Sequence, residues 1–188
     1  MGNRAFTTLN GAFAAPKLLK LLVLLAAFAP AAAARADMPE AIAAPGETLI
    51  ATLHAQGAQI YECNAGASAG LVWQFREPVA TLLEDGKTVG RHYAGPHWEL
   101  ADGSIVAAKV AGRAPGATPN DIPLLKLEVT ARRGTGRLAQ VTTIQRLNTR
   151  GGGAEGPCPA AGAFLSVPYV ADYAFYSRST SGAAEIPQ

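Results

Sequence analysis

Apolar and polar residues alternate along most of this chain, and glycine, proline, asparagine or aspartate interrupts the alternation roughly every ten residues. Leu125, Leu127, Val129 and Ala131 alternate with Lys126, Glu128, Thr130 and Arg132, as in a half-buried strand with one solvated face. Residues 71–76 repeat the pattern, with Leu71, Trp73 and Phe75 inward and Gln74 and Arg76 outward. Residues 48–53 and 58–63 read as two strands paired around a turn near Gln56-Gly57, the second with Tyr61 and Cys63 on one face. Pro78 closes the 71–76 strand, and 79–83 is a further short strand joined to 88–93 by a hairpin turn at 84–87. Ala94-Gly95-Pro96 and Asp102-Gly103 mark two more reversals before a strand-like 105–113. A loop over 114–121, a turn over 133–137, a long strand 138–147 antiparallel to 125–132, and segments 163–167 and 169–176 complete the series. No window carries the 3.6-residue apolar repeat of a helix. The pattern therefore predicts a mainly β, antiparallel β-sandwich or flattened barrel in a single domain.

The first 36 residues break this pattern. An apolar run over 18–29, with Lys17 before it and Lys20 inside it, leads into an alanine-rich stretch ending at Ala36, which reads as a secretory signal peptide. The run beyond Lys20 is shorter than the roughly 20 residues a membrane span needs. The domain plan is then a signal peptide at 1–36, an extended N-terminal arm at 37–47, the β-rich domain at 48–177 and a flexible tail at 178–188. The product is expected to be exported, periplasmic or secreted. Charge changes accordingly: the whole chain is +2, but all 14 acidic residues and twelve of the 16 basic ones follow Ala36, a balance of −2. This removes the electrostatic case for nucleic acid or an anionic membrane surface as partner. The basic cluster at 132–137 reads as a solvated hairpin tip.

Only Cys63 and Cys158 are present. In an oxidising compartment they are expected to form one disulfide, worth about 4–5 kcal/mol in the chain-entropy model. They form no C-x-x-C redox or zinc pair.

Ile60-Tyr61-Glu62-Cys63, Trp73-Gln74-Phe75 and Asp85-Gly86-Lys87 are followed by Gly90-Arg91-His92-Tyr93-Ala94-Gly95-Pro96-His97-Trp98-Glu99 and Asp102-Gly103-Ser104. With Gln145-Arg146-Leu147-Asn148-Thr149-Arg150-Gly151-Gly152 and Cys158, this order resembles the secreted family known as domain of unknown function 3455. The resemblance covers nearly all of the region after the leader. It implies export and paired cysteines, and brings no activity or catalytic residue with it.

Candidate chemistry concentrates in residues 90–104, which hold two of the three histidines and one of the two tryptophans. Tyr93, His97 and Trp98 beside the Gly-Pro turn suggest an aromatic ledge for a sugar, a peptide or a small apolar molecule, with Arg91 and Asp102 available to orient it and His92 a further ligand-binding candidate. Against this, Trp98 and Leu100 also alternate as ordinary core. His92 and His97, with Glu99 or Asp102, are ligand types for zinc or copper and types for acid–base work, but their spacing matches no H-E-x-x-H motif. There is no G-x-S-x-G elbow, and Asp102-Gly103-Ser104 reads as a turn capped by its own aspartate. The sequence assigns no catalytic residue, metal ligand or cofactor. Binding of a small ligand, glycan or partner protein is the preferred reading, with a metal-assisted or acid–base hydrolase using His92 and His97, or a structural envelope protein, as alternatives. Exposed sheet edges would favour the last, and a closed cavity would favour ligand binding.

Overall fold

The computed structural model describes residues 38–67 and 70–178, together with Gly2. The expected signal peptide lies outside the described residues apart from Gly2, as does the expected tail beyond Arg178. Among the described residues eight strands follow one another: β1 (Glu47–Ala65), β2 (Leu71–Glu84), β3 (Lys87–Tyr93), β4 (His97–Leu100), β5 (Ile105–Ala114), β6 (Leu124–Arg133), β7 (Thr143–Gly151) and β8 (Phe164–Arg178). Each pairs antiparallel with the next, and β8 returns to pair with β1, so one sheet closes on itself as a barrel. Of the two architectures the pattern allows, the barrel is the one formed. The pairing expected between 125–132 and the following strand is present from Leu125↔Arg146 to Glu128↔Thr143.

Three expected breaks are absent. Residues 48–53 and 58–63 are one continuous strand, with no turn at Gln56-Gly57; Gly57 lies between Ala80 on β2 and Tyr169 on β8. A Cβ there would sit 2.1 Å from the Val79 carbonyl oxygen, so this glycine serves close strand approach rather than chain reversal. Pro78 does not end β2, because β3 pairs only with Ala80–Glu84 and no partner on that side needs the missing N–H. Pro168 is accommodated likewise, beyond the last β7–β8 pair at Gly151↔Tyr169. A fourth difference lies before β7, which begins at Thr143 rather than 138. Leu138 and Val141 instead turn beneath the barrel, both fully buried. There the Leu138 N–H donates to Ser104 Oγ and the Arg137 N–H to Asp102 Oδ2, which closes this end.

Side chains at alternate positions fill the interior: Leu53, Leu82, Trp98, Val106, Leu127, Ile144, Tyr173 and Phe175 belong to one buried cluster. Thr52, His54, Gln56, Thr81, Arg91, Lys109 and Thr130 lie exposed outside. An apolar interior within a charged exterior is the reverse of a membrane barrel, whose apolar band faces lipid. Among the described residues no helix is long and apolar enough to cross a membrane. Within the expected arm, Glu40–Ile42 forms a single 3-10 turn. Ile42 is fully buried, and its carbonyl accepts from Gln145 Nε2, an outward side chain of β7. Cys63 and Cys158 form the expected disulfide, joining the end of β1 to the segment before β8.

Candidate functional site

The end opposite the Leu138–Val141 closure stays open. Cross-strand register aligns an inward row, Arg113↔Leu125, Leu125↔Arg146 and Arg146↔Tyr173, across β5 to β8. The next row deeper runs Val110, Leu127, Ile144, Phe175. Beside these rows, β3 and β4 contribute the facing pair His92↔Trp98. Together they enclose a cavity of about 470 Å³, whose mouth carries Phe75, Arg76 and the Gly95-Pro96 turn, with Ile122 and Pro123 also in its wall. That volume falls in the range of small-molecule sites, about 300–1,000 Å³. Phe75, expected in the core, is 54% exposed at this mouth, edge-on to Tyr61.

The wall is mostly aromatic and aliphatic, with a few polar groups set into it. Trp98 Nε1, Gln59 Nε2 and the Tyr173 hydroxyl are buried without a hydrogen-bond partner among the described residues, on residues 1%, 2% and 1% exposed. Arg146 and the Tyr169 phenol lie beside the Tyr173 hydroxyl without reaching hydrogen-bond geometry. Burial raises the Tyr173 pKa, so this phenol stays protonated. His92 stacks on Trp98 with ring centroids 4.3 Å apart, and its Nδ1–H donates to the His97 carbonyl at 2.8 Å. Burial, the largest cause, lowers the His92 pKa to about 3, and the positive field of Arg146 acts in the same direction. The ring is therefore neutral at ordinary pH, with Nδ1 carrying the proton and Nε2 left as an acceptor.

Arg146 is half-buried on β7 and held by a bond from Nε to the Pro123 carbonyl at 3.0 Å. Among the described residues it makes no ion pair. Arg76, by contrast, pairs with Glu62 and Glu77, each at 3.3 Å. Among the described residues the cavity wall holds three arginines and no aspartate or glutamate.

The residues singled out in 90–104 are divided by strand alternation. His92 and Trp98 enter the cavity wall. Arg91, Tyr93 and His97 lie on the outer face, where Arg91 Nη2 and the Tyr93 hydroxyl both donate to Glu99 Oε2, at 2.8 and 3.0 Å. Hydrogen bonds from Arg91 and then Tyr93 lower the Glu99 pKa. Tyr93 and His97 stack there at 5.2 Å beside a shallow groove with Arg132 and Arg133. His92 and His97 thus present their rings to opposite faces of the sheet. Asp102 is at the closed end, where Ser104 N and Oγ both donate to its Oδ1, the self-capped turn the sequence suggested. Among the described residues no cluster of three histidine, cysteine, aspartate or glutamate side chains is placed to hold a metal ion.

The sequence reading singles out neither Gln59 nor Arg146 as a site residue, and takes Leu125 and Leu127 only as the inward face of a strand and Tyr173 only as closing the sheet. The available signal was parity: in β7, Arg146 shares its face with Ile144, an apolar position, and so carries a cation inward. Searches among curated proteins and among solved structures returned no match. Residues 44–177, nearly the whole barrel, match the model of a family described as "Protein of unknown function (DUF3455)", and the chain belongs to that family.

Proposed function

We infer that the barrel binds one small, largely apolar molecule in its open end, outside the cytoplasm. The observation that carries this reading is the cavity itself, about 470 Å³, walled by Trp98, Leu125, Leu127 and Tyr173 inside a closed ring of strands. Eight strands make a barrel just wide enough either to be filled by side chains or to hold one small ligand. Here side chains fill the closed end and leave the other end hollow. Every strand has a neighbour on both sides, so the sheet offers little edge for the strand-by-strand assembly expected of a structural envelope protein. The apolar wall suits an aromatic or aliphatic molecule better than a glycan. A disulfide of this kind persists in oxidising compartments, which supports a location outside the cytoplasm.

The test uses N-phenyl-1-naphthylamine, a neutral probe that brightens in apolar surroundings. It is expected to saturate at one per barrel and to receive excitation energy from Trp98. Trp98→Phe should remove most of that transfer while Trp73 remains, and Val110→Phe, adding bulk to the cavity wall, should weaken binding at least about fivefold. Unsaturable binding, or binding indifferent to both changes, would refute the cavity as the site.

A further inference from the structure

We propose that the ligand ends in an oxyanion, a carboxylate, sulfonate or phosphate, received by Arg146 at the cavity wall. The proposal rests on the cavity reading above and specifies the chemistry of what enters. Arg146 is placed by register between Leu125 and Tyr173, among inward-facing side chains. Its Nε is spent on the Pro123 carbonyl, which orients the guanidinium; among the described residues Nη1 and Nη2 form no hydrogen bond and no ion pair. A partly buried guanidinium with two nitrogens free is a ready partner for a group of opposite charge.

The surrounding polar groups point to the same chemistry. Trp98 Nε1 and Gln59 Nε2 are donors only, and the Tyr173 hydroxyl, held protonated by burial, can donate as well. All three belong to wall residues and reach hydrogen-bond geometry with no partner among the described residues, so beside the acceptor His92 Nε2 the unmet capacity of the site is mostly donor capacity. A neutral hydrocarbon would leave it unmet; an oxyanion accepts from several donors at once, and most strongly from a guanidinium. Arg113, exposed in the same inward row and without an ion pair among the described residues, adds positive charge at the mouth. Among the described residues no acidic wall residue opposes it.

The experiment compares two probes that share the N-phenylnaphthylamine skeleton: the neutral compound used above and 8-anilino-1-naphthalenesulfonate, which adds one sulfonate. Wild-type protein should bind the sulfonate at least about tenfold more tightly at low salt, the order expected of one charge-assisted hydrogen bond. Arg146→Gln should abolish that preference, bringing the ratio of the two affinities to about one. Arg146→Lys, which keeps the charge, should retain most of it, and Arg113→Gln should cost only about twofold. If Arg146→Gln fails to fold by circular dichroism, Arg146→Met, which keeps the apolar stem and removes the charge, takes its place. Equal affinity for the two probes in wild type, or a sulfonate preference unaffected by loss of the Arg146 charge, overturns the oxyanion proposal and leaves the cavity reading intact. Failure of both probes to bind wild type overturns both.

Discussion

His92 shows how one buried polar side chain couples the interior to pH. The unfolded imidazole has its ordinary pKa of 6.5, while in the barrel burial lowers it to about 3, helped by the charges of Arg146 and His97 and opposed by the bond to the His97 carbonyl. Between those values the unfolded chain binds a proton that the native state does not. The barrel therefore loses stability on this account as pH falls from 6.5 toward 3, and regains it as pH rises. Asp102 and Asp121, whose pKa values are lowered mainly by backbone N–H donors, add their losses only below their ordinary 3.8. Urea unfolding of His92→Gln between pH 6.5 and 4.5 should thus show a stability slope flatter than wild type by up to about 1.4 kcal/mol per pH unit. Parallel slopes would show that the ring protonates in place. Sequence placed His92 near the right stretch but left its facing open. Once β3 and β4 pair through His92↔Trp98, alternation decides that His92 faces inward and Tyr93 outward.

At the level of the element, β1 is the organising strand: 19 residues long, it is the seam at which the ring closes. Gly57 allows it to pass β2, since any Cβ would meet the Val79 carbonyl oxygen and the Ala80 Cα, at 2.1 and 2.5 Å. Gly57→Val should destabilise by about 1–3 kcal/mol or more in urea unfolding with the far-ultraviolet β signal retained; a neutral effect would mean that β1 and β2 can separate there without loss. The strand class, the 84–87 hairpin, the Asp102 turn and the β6–β7 pairing were all legible, because alternation and turn residues are local signals. The continuity of β1, β2 and β8 was not, because glycine and proline stop a strand in isolation yet are tolerated where a neighbour crosses closely or no ladder partner exists. Leu138 and Val141 misled for the complementary reason: an apolar run buries equally well as a strand or as a plug, and local pattern does not distinguish them. Arg146 was missed because a lone cation on a strand reads as solvated until the partner strands fix its parity.

For the whole molecule, the disulfide bridges a sequence separation of 95. Cys63→Ser with Cys158→Ser should lower the melting temperature by on the order of 10 °C, given the chain-entropy estimate for so long a loop and the entropy of unfolding of a domain this size. An unchanged value would mean that the reduced chain is already as constrained as the oxidised one. The position of the bridge bears further on how the ring comes to close. β1 is made early and β8 last, yet they are neighbours, and Arg178 reaches Glu47 across 131 residues. Until β8 is made, the far side of β1 is an open template that a strand from another molecule can occupy. Cys158 lies just ahead of β8, and Cys63 lies at the end of β1 where β8 enters, its N–H donating to the Ala163 carbonyl at 2.9 Å. A bridge formed before closure would hold β8 beside its slot and turn the slowest, longest-range pairing into a short search. The yield of closed barrel would then depend on whether oxidation or intermolecular strand exchange reaches that seam first.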